Sequence, residues 1–450
     1  MGRLFGTDGA RGIANDSLTC ELAMQIGRAA AQVLIRQARR RPKIIIAQDT
    51  RLSSQMLVSA LSAGICSVGV DVEMLGELPT PAVAWLVGEY SADAGVMVSA
   101  SHNPAEFNGI KLFSRTGYKL PDDVENEIER LILDAPEEIA LASPMKLGRV
   151  YRRDSAMLDY IDHVVDTVED DFTGIQVALD CANGSASRTA ETLFTQLGAD
   201  VHVLHASPTG LNINKNCGST HMDSLRRFML DNHCNVAFAF DGDADRCLAL
   251  DENGELVDGD QLMAICANDL KQRGRLNENT LVATVMSNFG MHSFAREQDI
   301  NLVCTTVGDR YVLEEMLKYG YVIGGEQSGH IIFKEFAQTG DGQLTAVQVL
   351  SILKRSGKKM SELASVMKKA PQVLKGVEIA QDGKKLLATN GTIKKKISEV
   401  QAALGETGRV LVRASGTEPL IRVMVEGDDT ALIERCCDEV CAVIEAEKEV

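Results

Sequence analysis

Aromatic residues make up only 4% of this 450-residue chain, with a single Trp, and 46 basic residues face 63 acidic ones. The first scarcity disfavours a stacking platform for single-stranded nucleic acid. The second leaves a formal net charge of −17 and argues against a nucleic-acid partner of any kind, because affinity for phosphate backbones comes from clustered Lys and Arg. An anionic ligand must instead be gripped by a few positioned basic groups against an unfavourable global field. No apolar run of membrane-spanning length occurs, so no transmembrane helix is expected. The opening Met1–Asp8 reaches Gly6 and Asp8 too soon to hold a signal peptide's apolar region, and Gly6 stands where a myristoylation pattern needs Ser or Thr. Cysteine is present eleven times but never as Cys-x-x-Cys. The odd count and the adjacent Cys436 and Cys437 disfavour both a disulfide framework and a zinc site. These absences predict a cytoplasmic protein with reduced thiols and no membrane partner.

What is present is an ordinary globular mix, 45% hydrophobic and 24% charged, and a length that suggests about three domains, or four. Short apolar runs alternate with amphipathic stretches as far as about residue 360. Lys43–Ala47, Ala94–Ser99, Ile175–Leu179, Val236–Phe240, Leu281–Met286 and Tyr321–Ile323 read as buried strands of an α/β sheet. Leu22, Ile26, Ala29, Ala30, Val33 and Leu34 share one helical face behind a cap at Thr19. A faint threefold repeat pairs a strand ending in a short polar turn with a later strand ending in a richer one. The composition then changes, with Lys-rich connections around strands at Arg409–Val412 and Ile421–Val425 and a final helix over Thr430–Lys448. Three similar mixed-sheet α/β domains plus a smaller C-terminal α+β domain are expected, with boundaries at 1–150, 151–254, 255–365 and 366–450. Asp134–Gly148 is the best candidate linker.

Four segments carry chemistry. In Ser99–Pro104 (SASHNP) a buried strand stops at Ser101, which could serve as nucleophile or phosphate carrier, although taken alone this reads as a capped turn. In Asp241–Arg246 (DGDADR) three carboxylates follow a buried strand at alternate positions and would repel one another without a hard divalent cation, with Mg²⁺ the leading candidate. Asp241 and Asp243 also fit an Asp-nucleophile phosphatase. Gly325–His330 (GEQSGH) offers a backbone that can approach a sugar, with Glu326, Ser328 and His330 beside it, and is as readily a structural turn. Arg413–Arg422 brackets a Ser-Gly-Thr turn with two guanidinium groups, which suits a phosphate.

In this order, with FGTDGARG at the start and the loop NGIKLF at Asn108–Phe113, these motifs resemble the α-D-phosphohexomutase superfamily over nearly the whole chain. Gln327, Cys217–His221 (CGSTH), Thr306–Val312 (TVGDRYV) and Gln338–Gly342 (QTGDG) are most similar to its bacterial branch acting on glucosamine phosphates, rather than to relatives acting on mannose or glucose phosphates. The resemblance implies a heart-shaped four-domain molecule around a central cleft. It also implies interconversion of glucosamine 6-phosphate and glucosamine 1-phosphate through glucosamine 1,6-bisphosphate, feeding UDP-N-acetylglucosamine and cell-wall synthesis. It casts Ser101 as the phosphoserine, and Asp241, Asp243 and Asp245 with Ser101 as ligands of one Mg²⁺. Glu326 and Ser328 match positions that hold sugar hydroxyls. Arg413, Ser415, Gly416, Thr417 and Arg422 match a phosphate-binding loop, and Arg11, Lys111 and Arg246 match basic positions at the reacting centre. Lys111 or His330 is the expected general base. A homodimer, and activation by a kinase or by self-phosphorylation, are also implied. Ala244 departs from a glycine common in relatives, which matters only if φ is positive there.

Overall fold

The computed structural model describes residues 3–6, 8–35, 40–379, 383–414 and 419–448. They form two compact units, one from Met1–Met286 and Ile300–Val366, the other from Ser287–Asp299 and Met367–Val450.

Three sheets lie in the first unit. In the first, the spatial order is Ala10–Ile13, Phe107–Ser114, Ala94–Val98, Lys43–Gln48, Asp71–Glu77, Val150–Arg152. Phe107–Ser114 runs antiparallel to both of its neighbours, and the remaining pairs are parallel. Ile44, Ile45 and Ile46 are fully covered, and each such side chain contributes about 1.5–3 kcal/mol of hydrophobic stabilisation. The helix Cys20–Leu34 starts where the Thr19 side chain accepts the Leu22 amide, and its Ala23, Ile26, Ala29 and Ala30 are buried. The second sheet runs Leu256–Val257, Cys247–Leu250, Val236–Phe240, Gln176–Asp180, Asp200–Leu204, and the third Asn301–Thr305, Thr280–Thr284, Ile323–Gly325, Ile331–Phe333.

The threefold repeat has a structural form. In each sheet a central strand turns into an antiparallel partner: Ala94–Val98 into Phe107–Ser114, Val236–Phe240 into Cys247–Leu250, and Ile323–Gly325 into Ile331–Phe333. Three of the four chemistry-bearing segments are the turns of these three hairpins. The sheets are therefore mixed, because each turn reverses the chain at the carboxyl end of a parallel strand.

Asp134–Gly148 is not a free tether. Two short 3₁₀ turns, Pro136–Glu138 and Pro144–Lys146, break it up. The amides of Ala142 and Gly148 bond to the carbonyls of Ser67 and Cys66, so the segment lies along the first sheet's own helix before Val150–Arg152 adds a sixth strand.

The second unit is built on an antiparallel sheet, Gln372–Glu378, Leu420–Gly427, Gly408–Ala414, with Arg413 paired opposite Arg422. The helices Gly391–Leu404 and Thr430–Glu447 pack Ile393, Val400, Ile433, Cys437 and Val440 against Ile421, Val423 and Val425. Ser287–Asp299, with its helix Gly290–Glu297, belongs to this unit. Asn288 donates to Glu426 (2.9 Å) and to the Ala370 carbonyl (3.1 Å), while Arg409 closes on the other oxygen of the buried Glu426 at 2.6 Å. All eleven cysteines are free thiols. No helix among the described residues is long and apolar enough to cross a membrane.

Candidate active site

The serine turn is held by buried charge. After Val98, the Ser99 hydroxyl donates to Asp49 (2.6 Å) and accepts the amide of Ser101 (3.0 Å). Asp49 pairs with Arg51 at 2.8 Å, and neither side chain is exposed to solvent. The other guanidinium nitrogens of Arg51 donate to the carbonyls of Ser101, Asn103 and Phe107, and Asn214 donates to those of Ser101 and Asn103. Ser101 itself has φ +52°, which costs roughly 1–2 kcal/mol for an L-residue. Such strain persists only where the surroundings over-determine it, and the carbonyl clamp on this turn does so.

The acidic hairpin turn meets the serine directly. Gly242 makes this approach possible: a Cβ there would lie 2.5 Å from the Ser101 carbonyl oxygen. The Ser101 hydroxyl donates to Asp241 at 2.5 Å. Asp243 receives Lys111 (2.7 Å) and the hydroxyl of Thr80, and Lys111 also reaches Asp245 at 3.3 Å. Strand register explains the lysine, since Lys111 lies opposite Met97, two residues before the serine turn begins. Ala244 has φ +55° and is fully buried, so the methyl group does sit in a left-handed position. Bonds from its amide to Asp241 O and from the Gly342 amide to its carbonyl hold it there.

One oxygen from each of Asp241, Asp243 and Asp245 lies within 4.8 Å of the other two. Two unit charges at about that separation repel by roughly 3–4 kcal/mol at an effective dielectric of 20. Burial, then Asp245 and Asp243, push the Asp241 carboxyl well above its ordinary range. Burial also works against Asp245, but Lys111, His330 and Arg246 hold it low. Oδ1 of Asp243 and Oδ1 of Asp245 are buried with no hydrogen-bond partner among the described residues. Orphaned carboxylate oxygens beside a serine hydroxyl form an all-oxygen donor set, which fits a hard divalent cation.

The basic groups close around this centre. Burial disfavours the Lys111 ammonium, yet Asp243, Asp8 and Asp245 raise it well above its ordinary value. Arg11 pairs with Asp8, and Lys119 bridges Asp8 (2.7 Å) and Asp309 (2.6 Å). Burial, Arg246 and Arg11 lower His102 to about 4. It is therefore neutral near pH 7, its Nδ1 3.4 Å from the Ser101 hydroxyl and 3.3 Å from Arg246. His330 lies 3.7 Å from Asp245 and 3.4 Å from Asp309, and its Nε2 accepts the Gly340 amide at 3.0 Å. Burial opposes its charge, and Asp245 and Asp309 raise its pKa above the usual value.

The third hairpin turn is joined to the acidic one through the Cys247 amide, which donates to Gly329 O at 3.0 Å. Glu326 accepts the Gly308 amide at 3.0 Å, and the buried Ser328 hydroxyl has no partner among the described residues. Ser101, the three aspartates, Lys111, Arg11, Arg246 and His330 are thus brought together, with Glu326 and Ser328 on the adjoining turn. Arg413 and Arg422 face each other in the second unit, and Ser415, Gly416 and Thr417 lie outside the described residues. Sequence reasoning missed Asp49, Arg51, Thr80, Asn214, Asp8, Lys119 and Asp309. Asp49 and Arg51 closely follow the strand read at Lys43–Ala47, but nothing local tells that this Arg holds another turn.

Known proteins resemble the chain in sequence and in fold. Phosphoglucomutase/phosphomannomutase alpha/beta/alpha domains I, II and III match residues 2–138, 158–254 and 258–370, and the C-terminal domain of that family matches 356–443. The chain is 52% identical over 445 residues to a phosphoglucosamine mutase of Acetivibrio thermocellus, covering 99% of each. A phosphoglucomutase/phosphomannomutase family protein from Burkholderia thailandensis superposes with a TM-score of 0.82 at 23% identity, covering 99% of this chain and 97% of that one. An Aspergillus fumigatus N-acetylphosphoglucosamine mutase, solved with GlcNAc-6P and magnesium, superposes with a TM-score of 0.70 at 18% identity, covering 99% and 96%. These two likenesses speak for the fold.

Proposed function

Because the chain belongs to the phosphoglucosamine mutase family of the phosphoglucomutase/phosphomannomutase superfamily, and so is an isomerase, we propose that it interconverts glucosamine 6-phosphate and glucosamine 1-phosphate through a phosphoserine at Ser101. In the forward half, the bond from phosphorus to Ser101 Oγ breaks as a bond to the free hydroxyl oxygen of the sugar monophosphate forms. The result is glucosamine 1,6-bisphosphate. After the intermediate turns over, its other phosphoryl group returns to Ser101. Asp241, Asp243 and Asp245, with a phosphoserine oxygen, would hold Mg²⁺, which neutralises charge on the transferring group.

The chain's own groups supply the rest. Lys111, Arg246 and Arg11 add positive charge where the phosphoryl group moves. Three carboxylates keep Lys111 protonated, so we assign it to charge stabilisation; Asp245 and Asp309 raise His330 as well, but from the imidazole range, so we assign the proton transfer to His330. Glu326 and the unpartnered Ser328 hydroxyl are assigned to sugar hydroxyls. Arg413 and Arg422, with Ser415, Gly416 and Thr417, are assigned to the non-reacting phosphate. A division near 1–150, 151–254, 255–365 and 366–450 goes with this reading, each range holding most of one sheet, although Val150–Arg152 completes the first sheet and Leu256–Val257 the second across those bounds, and Ser287–Asp299 packs with the last. Consumption of the product in UDP-N-acetylglucosamine synthesis belongs to the same proposal.

The observation that carries the reading is the 2.5 Å bond from Ser101 to Asp241 beside two orphaned carboxylate oxygens. Intact-mass spectrometry of the purified protein should find one phosphoryl group on Ser101. Ser101→Ala should abolish phosphorylation and mutase turnover together. Full turnover without Ser101 would overturn the scheme. A coupled assay comparing glucosamine, mannose and glucose phosphates tests the substrate.

A further inference from the structure

A second group of ligating side chains lies in the second sheet, beside the strand that leads into the acidic hairpin. Asp180 ends the strand Gln176–Asp180, and His205 directly follows Asp200–Leu204. These strands are parallel neighbours with Asp180 in register with Leu204, so the carboxylate and the imidazole emerge side by side. Cys217 arrives from the following loop. Gly218, at φ +73°, lets that loop press in, since a Cβ there would come within 2.6 Å of the Ala182 side chain and the Phe240 carbonyl. A carboxylate oxygen of Asp180, a ring nitrogen of His205 and the Cys217 sulfur all lie within 4.8 Å of one another. Asp180 and Cys217 are fully buried and His205 partly so.

We propose that Asp180, His205 and Cys217 bind a divalent transition-metal ion of the zinc class, at a site separate from the acidic triad. The donor types decide the class. Imidazole nitrogen and thiolate sulfur with one carboxylate suit zinc or cobalt and are poor ligands for magnesium, whereas the triad offers oxygen alone. Donors each about 2.0–2.3 Å from one ion stand at most about 4.6 Å apart, so small side-chain turns bring the three into range. His205 Nδ1 is already 2.9 Å from Asp180 Oδ2, and Asn183 donates to the Cys217 sulfur at 3.7 Å. On binding, the ion takes the place of the proton between His205 and Asp180 and of the Cys217 thiol proton, and both protons pass to solvent. Carboxylate and thiolate then balance the 2+ charge inside the fold.

The site would staple a loop that serves the catalytic turns. From that loop Asn214 bonds through its amide to Ala182 O (2.9 Å) and through its side chain to the Ser101 carbonyl (2.8 Å). The Ser219 amide donates to Phe240 O at 2.9 Å, at the root of the acidic hairpin.

The test is cobalt titration of the full-length, reduced, chelator-treated protein in saturating Mg²⁺. The expected result is a thiolate-to-cobalt charge-transfer absorption that saturates at one equivalent. It should persist in Asp243→Asn, vanish in Cys217→Ser, and need at least ~10-fold more cobalt in His205→Gln. An unsubstituted protein without the absorption overturns the proposal whether or not the variants fold. So does an unchanged absorption in Cys217→Ser, or its loss in a folded Asp243→Asn.

Discussion

Arg51 shows what one buried guanidinium does for a site it never enters. It neutralises Asp49 and spends its remaining N–H groups on the carbonyls of the serine turn. Arg51→Ala would leave Asp49 as an unpaired buried carboxylate, a change that costs about 3–5 kcal/mol. Thermal unfolding should show that loss, and the fraction of Ser101 carrying phosphate should fall with it. Arg51→Lys should rescue stability only in part, because an ammonium lacks the planar fork that reaches several carbonyls at once. That Ser101, Asp241, Asp243 and Asp245 sit on turns was legible because each follows an apolar strand, whereas the role of Ser101 came from the family resemblance alone. Arg51 was not legible, because its partners lie about 50 residues away and only the strand order brings them close.

At the scale of elements, the helix Gly342–Ser356 begins on a titratable cap. Asp341 accepts the Leu344 amide and the Tyr160 hydroxyl, and burial, outweighing those bonds, raises it to about 6 from an ordinary 3.8. Its folded pKa exceeds the unfolded one, so between about pH 4 and 6 the folded state binds the extra proton. Stability therefore falls as pH rises through that window and is level above it, by on the order of 2–3 kcal/mol. Asp341→Asn keeps an oxygen for the cap and the tyrosine. Its unfolding free energy should lose that slope and exceed the parent's above pH 6, as denaturant titrations at several pH values would show. Beyond the missed interior strands Asp71–Glu77, Cys247–Leu250 and Phe107–Ser114, the last expected as a loop, the strands read from apolar runs were found to within about two residues. The edge strands Asp200–Leu204 and Asn301–Thr305 were not, since each is partly exposed and mixes polar with apolar residues.

At the scale of the molecule, composition foretold the smaller C-terminal α+β part but not the return of the chain into it. Ser287–Asp299 follows a strand of the third sheet and yet packs with the second unit. The reason is Asn288, whose side chain grips Glu426 and Ala370, and no local pattern announces such a partner. Asn288→Ala should remove about 1–3 kcal/mol from this attachment and speed amide exchange across Gly290–Glu297 roughly tenfold or more, with exchange in the three α/β sheets unchanged. Protection that stays the same in that helix would show the attachment to rest on its apolar face alone.

The lone Trp85 sits on the helix Thr80–Glu89, its ring stacked 4.2 Å from that of His163. The first residue of that helix bonds to Asp243 through both amide and hydroxyl. An ion settling among the aspartates would pull on the end of the very helix that carries the chain's only indole. Titration with Mg²⁺ should therefore change its emission, a shift readable in a cuvette without attaching any dye.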